Sequence, residues 1–219
     1  IPYYKVISDR KDLTLFPRVF FDNEVLFQTE YRQANKNSDL LLDFSVNLDN
    51  SNTKNHFFAD ISSKKENDYF DIHLETVSDD KYLKVKNIKS AINYNDSTLE
   101  SFINYSMFRD DYSLDVSLEM FEDLNKEKTD RYEFVFPNFQ YEKYLYNEKD
   151  LNGELTLDTK GHIKNYNTNV DEAVLVNDIK FSSFQKISSK INGLQTGYKL
   201  LLRNANSSSK NSASLKEDE

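Results

Sequence analysis

From Tyr112 to Phe121 the chain alternates without a break, with Tyr112, Leu114, Val116, Leu118 and Met120 set against Ser113, Asp115, Ser117 and Glu119. Consecutive side chains of an extended strand point to opposite faces, so this order predicts a strand with one apolar and one polar face. A helix would scatter the same residues around its axis. The pattern recurs at 40–49, where Leu40, Leu42, Phe44, Val46 and Leu48 oppose Leu41, Asp43, Ser45, Asn47 and Asp49, and at 69–76, where Phe70, Ile72 and Leu74 oppose Asp71, His73 and Glu75.

Weaker versions run through 13–21, 25–33, 56–63, 81–87, 99–108, 131–141, 153–158, 174–182 and 197–204. Short polar runs separate them at 8–12, 22–24, 49–52, 64–68, 78–80, 93–96, 110–111, 123–128 and 147–152, which are turn chemistries. The expected fold is all-β: an antiparallel up-and-down meander of about ten strands, with no capped helix and no room for crossover helices. One unit is expected over 1–204, followed at 205–219 by a polar loop or disordered tail of Ser, Asn, Lys and Glu.

No window approaches the roughly 18 consecutive apolar residues of a spanning helix. A membrane β-barrel is still open, because a spanning strand shows lipid only every second residue and reads as hydrophilic on average. Many of the expected strands have the 9–11 residues needed to cross a bilayer at a tilt. The 16 Phe and 14 Tyr argue against a disordered chain. They suit either a sandwich core or the aromatic girdles of a barrel, where tyrosines near strand ends sit at the headgroup level.

The net charge of -9 and the lack of a basic run argue against nucleic acid as a partner, since nothing would concentrate a polyanion. The absence of cysteine removes thiol catalysis, zinc-thiolate sites and disulfides. The opening Ile1-Pro2-Tyr3-Tyr4 has neither an initiator Met nor an apolar leader, so the chain reads as cut from something longer.

Candidate chemistry is thin. Asp71, His73 and Glu75 share one face of a strand at steps of about 6.6 Å, which admits a metal, but a polar stripe on a two-faced strand explains them without one. His56, His73 and His162 lie in no catalytic motif, and the four glycines form no phosphate cradle. No catalytic residue, metal ligand or cofactor is expected, and the chain does not read as an enzyme.

The succession Ile1-Pro2-Tyr3-Tyr4, then Asp12-Leu13-Thr14-Leu15 with Pro17, then Gln28-Thr29-Glu30-Tyr31-Arg32 resembles the start of the barrel in the lipopolysaccharide-assembly protein LptD family. Asn55-His56-Phe57-Phe58-Ala59, Asp130-Arg131-Tyr132-Glu133 with Pro137, Asn165-Tyr166-Asn167-Thr168 and Asn177-Asp178 resemble segments of its alphaproteobacterial members more loosely. The resemblance covers most of residues 1–204. It implies the N-terminal part of a large transmembrane barrel of the bacterial outer membrane.

Such a barrel takes lipopolysaccharide from a periplasmic Lpt bridge and passes it through a lateral opening into the outer leaflet. An LptE-like lipoprotein plugs the lumen. By that resemblance Pro2 and Pro17 mark a lateral gate on the first two strands, where a missing N–H weakens pairing. A simpler reading of both prolines is tolerance at a strand start or sheet edge.

In the barrel reading, Asp43, Ser45, Asn47, Asp71, His73, Glu75, Asp115, Ser117 and Glu119 face the lumen. Leu42, Phe44, Val46, Phe70, Ile72, Leu74, Leu114, Val116 and Leu118 face outer-membrane lipid. The sequence departs from the family in lacking the N-terminal jellyroll that meets the bridge, in lacking the cysteines that join jellyroll to barrel, and in having few glycines. Two rivals stand beside this reading: another outer-membrane porin or receptor barrel, and a soluble extracellular β-sandwich that binds carbohydrate.

Overall fold

The computed structural model describes residues 1–20, 24–48, 53–126, 130–148, 152–187 and 193–213. The turns expected at 22–23, 49–52, 127–128 and 149–151, and the end of the tail at 214–219, lie outside the described residues. The elements in chain order are β1 (Tyr3–Ser8), β2 (Lys11–Val19), β3 (Val25–Ala34), β4 (Ser38–Leu48), β5 (Thr53–Lys65), β6 (Asp68–Val77), α1 (Tyr82–Lys86), β7 (Thr98–Phe108), β8 (Tyr112–Asp123), β9 (Tyr132–Glu148), β10 (Gly153–Tyr166), β11 (Val170–Ser183), β12 (Lys186–Ile187), β13 (Gln195–Thr196) and β14 (Lys199–Lys210).

Twelve of these strands form one antiparallel sheet in the order β1 to β11 and then β14, while β12 and β13 make a separate two-stranded hairpin. From β1 to β11 each strand pairs with its neighbour in sequence, as expected of a meander, and β14 follows β11 past the β12–β13 pair. The sheet is open, with β1 and β14 as its two edges. Eleven of the alternating segments become its strands, and Tyr3–Ser8, ahead of β2, supplies the twelfth.

Three further expectations are corrected. Residues 81–87 do not form a strand; they hold the short helix α1. Tyr82 and Leu83 are both buried, and adjacent residues cannot share one side of a strand. Asn87 ends the helix in the left-handed region at φ 46°, its N–H turned back to the Leu83 and Lys84 carbonyls. Second, the strand expected to end at 204 runs on through Lys210, because Ala205 to Lys210 keep partners from Val176 back to Asp171. Third, Pro2 precedes β1 rather than lying on it, whereas Pro17 is within β2.

The register sorts the sheet into two continuous faces. Glu30, Asp43, Phe58 and Glu75 are directly opposite one another across β3 to β6, as are Asp71, Asn104 and Ser117 across β6 to β8. On the other face Leu42, Ala59 and Leu74 form one row, and Ile72, Ile103 and Leu118 another. The β8–β9 and β9–β10 registers slip opposite Phe136–Pro137, where proline offers no N–H to the ladder.

The core lies against the polar face. The β6–β7 connection, residues 78–97, folds across it and brings Tyr82, Leu83 and Ile92 onto Leu26, Phe58, Leu99 and Leu124, with Phe20, Leu41, Val77 and Ile88 around them. Among the described residues, no such segment covers the opposite face. Among the described residues, no helix is long and apolar enough to cross a membrane.

Candidate functional site

The two faces differ in what they offer. On the bare face Phe27, Phe44, Phe57, Phe70, Leu74, Ile103 and Leu118 are all more than a third exposed. Large apolar side chains so placed on a sheet of this width form a continuous patch, and a patch of that kind marks contact with an apolar partner phase or surface. All nine residues expected to face lipid lie on this face: Leu42, Phe44 and Val46 of β4, Phe70, Ile72 and Leu74 of β6, and Leu114, Val116 and Leu118 of β8.

The apolar band does not run straight along the hydrogen-bonding direction. One row of register partners joins Ser38 of β4 through Phe70, Val116 and Leu175 to Asn206 of β14. The strands β4 and β14 run in the same direction. Yet the exposed Phe44 lies past this row in β4, while the exposed Leu200 and Leu202 lie before it in β14. Between them the band slides by ten to twelve residues over eight strand steps, and with a rise of about 3.3 Å and a strand spacing of about 4.8 Å this inclines the strands by about 40–45° to the band's normal. Spanning barrel strands are inclined by ~35–45°.

The covered face is polar, and around Asp43, Ser45, Asn47 and His56 it is closed to water. All nine residues expected to face a lumen lie on it: Asp43, Ser45 and Asn47 of β4, Asp71, His73 and Glu75 of β6, and Asp115, Ser117 and Glu119 of β8. Cross-strand pairing sets Ser45 directly opposite His56. The Ser45 hydroxyl is 2.6 Å from His56 Nδ1 and 2.7 Å from the Tyr82 hydroxyl, and His56 Nε2 is 3.2 Å from Asp43 Oδ1. Gln28 Nε2 donates to both Asp43 oxygens, at 3.1 and 3.2 Å, and to the Lys89 carbonyl at 2.8 Å.

With a proton on His56 Nε2 the whole chain is satisfied in one direction: Tyr82 donates to Ser45, Ser45 to His56, and His56 to Asp43. Ser45, His56 and Asp43 thus stand in the order of nucleophile, base and orienting carboxylate. They are at most 1% exposed, however, and Tyr82 occupies the approach to the hydroxyl. As folded, the arrangement fastens the 78–97 segment to the sheet and leaves no approach for a substrate.

More contacts hold the same segment. Lys86 pairs with Glu24, which also accepts from Asn47. Arg18 Nη1 donates to the carbonyls of Lys86 and Asn87, at 2.7 and 3.3 Å. Asn93 Nδ2 donates to Glu75 at 2.8 Å, and Asp80 pairs with Arg131 ahead of β9. The Lys86 ammonium, with help from Asn47, holds the Glu24 carboxyl below its ordinary value despite its burial.

Sequence reasoning found Asp43, Ser45 and Asn47 but missed His56, Gln28 and Tyr82 as their partners. His56 carries no local signal; only the β4–β5 register sets it against Ser45. The metal reading of Asp71, His73 and Glu75 finds a different arrangement, with His73 Nε2 3.2 Å from Glu75 and its ring stacked on Phe102. Among the described residues no three His, Asp or Glu side chains are grouped to hold an ion.

Both edges are open. β1 is exposed along its whole length and β14 along nearly all of it, with Tyr3, Tyr4, Leu200, Leu201 and Leu202 each more than half exposed. The β1–β2 ladder starts at Tyr3 opposite Leu15, short of Pro17, while the β2–β3 ladder continues unbroken through Pro17 opposite Phe27. The two prolines come together at this uncovered stretch of β2, lining a cavity of about 350 Å³ with Phe16, Arg18, Gln28, Asn87 and Lys89. No protein-family model matches the chain, and no curated protein matches it in sequence.

Proposed function

We propose that this chain forms part of a transmembrane β-barrel of the bacterial outer membrane that delivers lipopolysaccharide to the outer leaflet. The observation that carries the membrane half of this reading is the bare face: a continuous apolar band, inclined to the strands by the angle of spanning barrel strands. A soluble sandwich would need a second sheet over that face. The transport half rests on the ordered succession from Ile1-Pro2-Tyr3-Tyr4 to Glu30-Tyr31-Arg32, which resembles the LptD family.

In this reading the bare face meets outer-membrane lipid and the covered face lines the lumen. The open β1 edge belongs to the seam through which acyl chains leave. Pro2 and Pro17 carry no N–H, so pairing along that edge lacks two donors. An LptE-like lipoprotein would share the lumen, and a jellyroll outside this chain would meet the periplasmic Lpt bridge.

One observation favours another outer-membrane barrel, a porin or receptor: the 78–97 segment already occupies the covered face without an external plug. Depleting the full-length protein separates the two. Loss of surface lipopolysaccharide supports transport, and normal surface lipopolysaccharide leaves the porin or receptor reading. Within the transport reading, Pro2→Ala with Pro17→Ala restores two donors worth on the order of 1 kcal/mol each. The expected result is a normally inserted, heat-modifiable barrel with roughly tenfold slower delivery of lipopolysaccharide to the surface; unchanged delivery would leave both prolines as ordinary edge residues.

A further inference from the structure

Where α1 ends against the sheet, side chains from three parts of the chain meet around one carboxylate. Glu24, just ahead of β3, accepts from Lys86 Nζ on Oε2 and from Asn47 Nδ2 on Oε1. Lys86 is the last residue of α1, steadied by the Arg18 guanidinium on its carbonyl, and Asn47 is next to last in β4. Asn47 is 1% exposed, and the Phe20 ring lies over Lys86 Nζ, 4.7 Å from it to the centroid. Of the lysine–carboxylate pairs among the described residues, Lys86–Glu24 is the one withdrawn from water on both sides, at 15% and 8% side-chain exposure.

In water a lysine amine is protonated and an asparagine amide is inert toward it. Both obstacles shrink in a dry pocket that holds a carboxylate. Moving one proton from Lys86 to Glu24 turns two charges into a neutral amine and a neutral acid, a change that withdrawal from water favours. Asn47 Oδ1 is buried with no hydrogen-bond partner among the described residues. A neutral Glu24 supplies the missing donor once the amide turns over, and polarises Cγ as it does so. Lys54 stands directly opposite Asn47 in β5, but its ammonium is held by Asp79 at 2.9 Å.

We propose that Lys86 and Asn47 become joined by an isopeptide bond, with Glu24 carrying the protons. The Lys86 nitrogen attacks Asn47 Cγ, the Cγ–Nδ2 bond breaks, and Nδ2 leaves as ammonia. Of the three hydrogens on the Lys86 ammonium, one stays on the new amide, one leaves with Nδ2, and one is left on Glu24, so no further reactant is needed. Holding amine and amide on the two oxygens of one carboxylate supplies the proximity such a step requires, and places the proton carrier within hydrogen-bond reach of both. The bond ties α1 to β4 and keeps the 78–97 segment on the covered face; molecules not yet joined keep the ion pair. The proposal rests on these contacts and not on the membrane reading, so its failure would leave that reading standing.

The test is tryptic digestion of the purified full-length protein followed by mass spectrometry. Trypsin cannot cut after a joined Lys86, so a branched peptide of residues 37–54 and 85–89 is expected, lighter than its two parts by one ammonia. Fragmentation should place the branch at Asn47 and Lys86. Lys86→Arg keeps a cation for Glu24 but no attacking amine, and should abolish the branched peptide. Glu24→Gln keeps both partners without the proton carrier, and should lower its yield roughly tenfold or more. The unaltered protein alone decides whether the bond exists. Recovery of 37–54 unbranched together with 87–89 from that protein, a branch at Lys54, or a yield as high in Glu24→Gln as in the unaltered protein would overturn the proposal.

Discussion

Glu24 sits just ahead of β3, where its carboxylate takes a proton donor from Lys86 and another from Asn47 while nearly withdrawn from water. Lys86 is the larger cause of its depressed affinity for protons, and burial opposes it. A carboxyl whose folded-state pKa lies below its unfolded value adds stability above that unfolded value and loses it as the pH falls through the folded one. For Glu24 the unfolded reference is 4.5, so the loss begins as the pH drops below about that point. The urea midpoint of the full-length protein in detergent should therefore fall more steeply below this pH than that of Glu24→Gln, which starts lower and is flatter; parallel curves would remove Glu24 from the account. None of this was legible locally. Glu24 and Lys86 are far apart in the chain and meet only because 78–97 folds back over β3 to β5, and for the same reason His56 read as an isolated histidine. Asp43, Ser45 and Asn47 were legible as one polar face, since alternation along a single strand needs no knowledge of its neighbours.

At the scale of single elements, β10 depends on a glycine. A Cβ on Gly161 would lie 2.7 Å from the Val174 carbonyl oxygen, 3.1 Å from the Phe139 ring and 3.3 Å from Leu175. The backbone oxygen cannot step aside, so Gly161→Val should destabilise the β9–β10–β11 part of the sheet by about 1–3 kcal/mol, the usual cost of overpacking. Urea unfolding in detergent followed by tyrosine fluorescence reads this directly, and a midpoint equal to that of the unaltered protein would contradict the close packing. The alternation that made β4, β6 and β8 readable has an instructive failure at 81–87, where Tyr82, Leu83 and Val85 fit a strand as well as a helix over so few residues. Burial of both Tyr82 and Leu83 against Leu26 and Phe58 decided for the helix, and that contact is invisible to a local window. The Ser- and Asn-rich run after 204 reads as tail by composition, yet it forms strand because the exposed edge of β11 supplies partners as far as Asp171.

For the molecule as a whole, the membrane reading makes a prediction, since the twelve-stranded sheet is open, with two exposed edges and one bare apolar face. The isolated chain made in the cytoplasm should collect in inclusion bodies and need detergent or lipid to refold. A monodisperse protein melting cooperatively in plain buffer would contradict the membrane reading. The inclined band sharpens that reading, because it predicts which residues sit deepest: Phe44 in β4 and Leu200 and Leu202 in β14 share one depth although the register places them in different rows. The most direct test of the two-faced sheet is cysteine scanning of Leu114 to Glu119, one position at a time, in the full-length protein within native outer membranes. Labelling with a water-soluble maleimide should spare Leu114, Val116 and Leu118 and reach Asp115, Ser117 and Glu119 once the membranes are opened to give access to the lumen. Uniform labelling of all six positions, or labelling confined to Leu114, Val116 and Leu118, would contradict the placement of the apolar face in lipid.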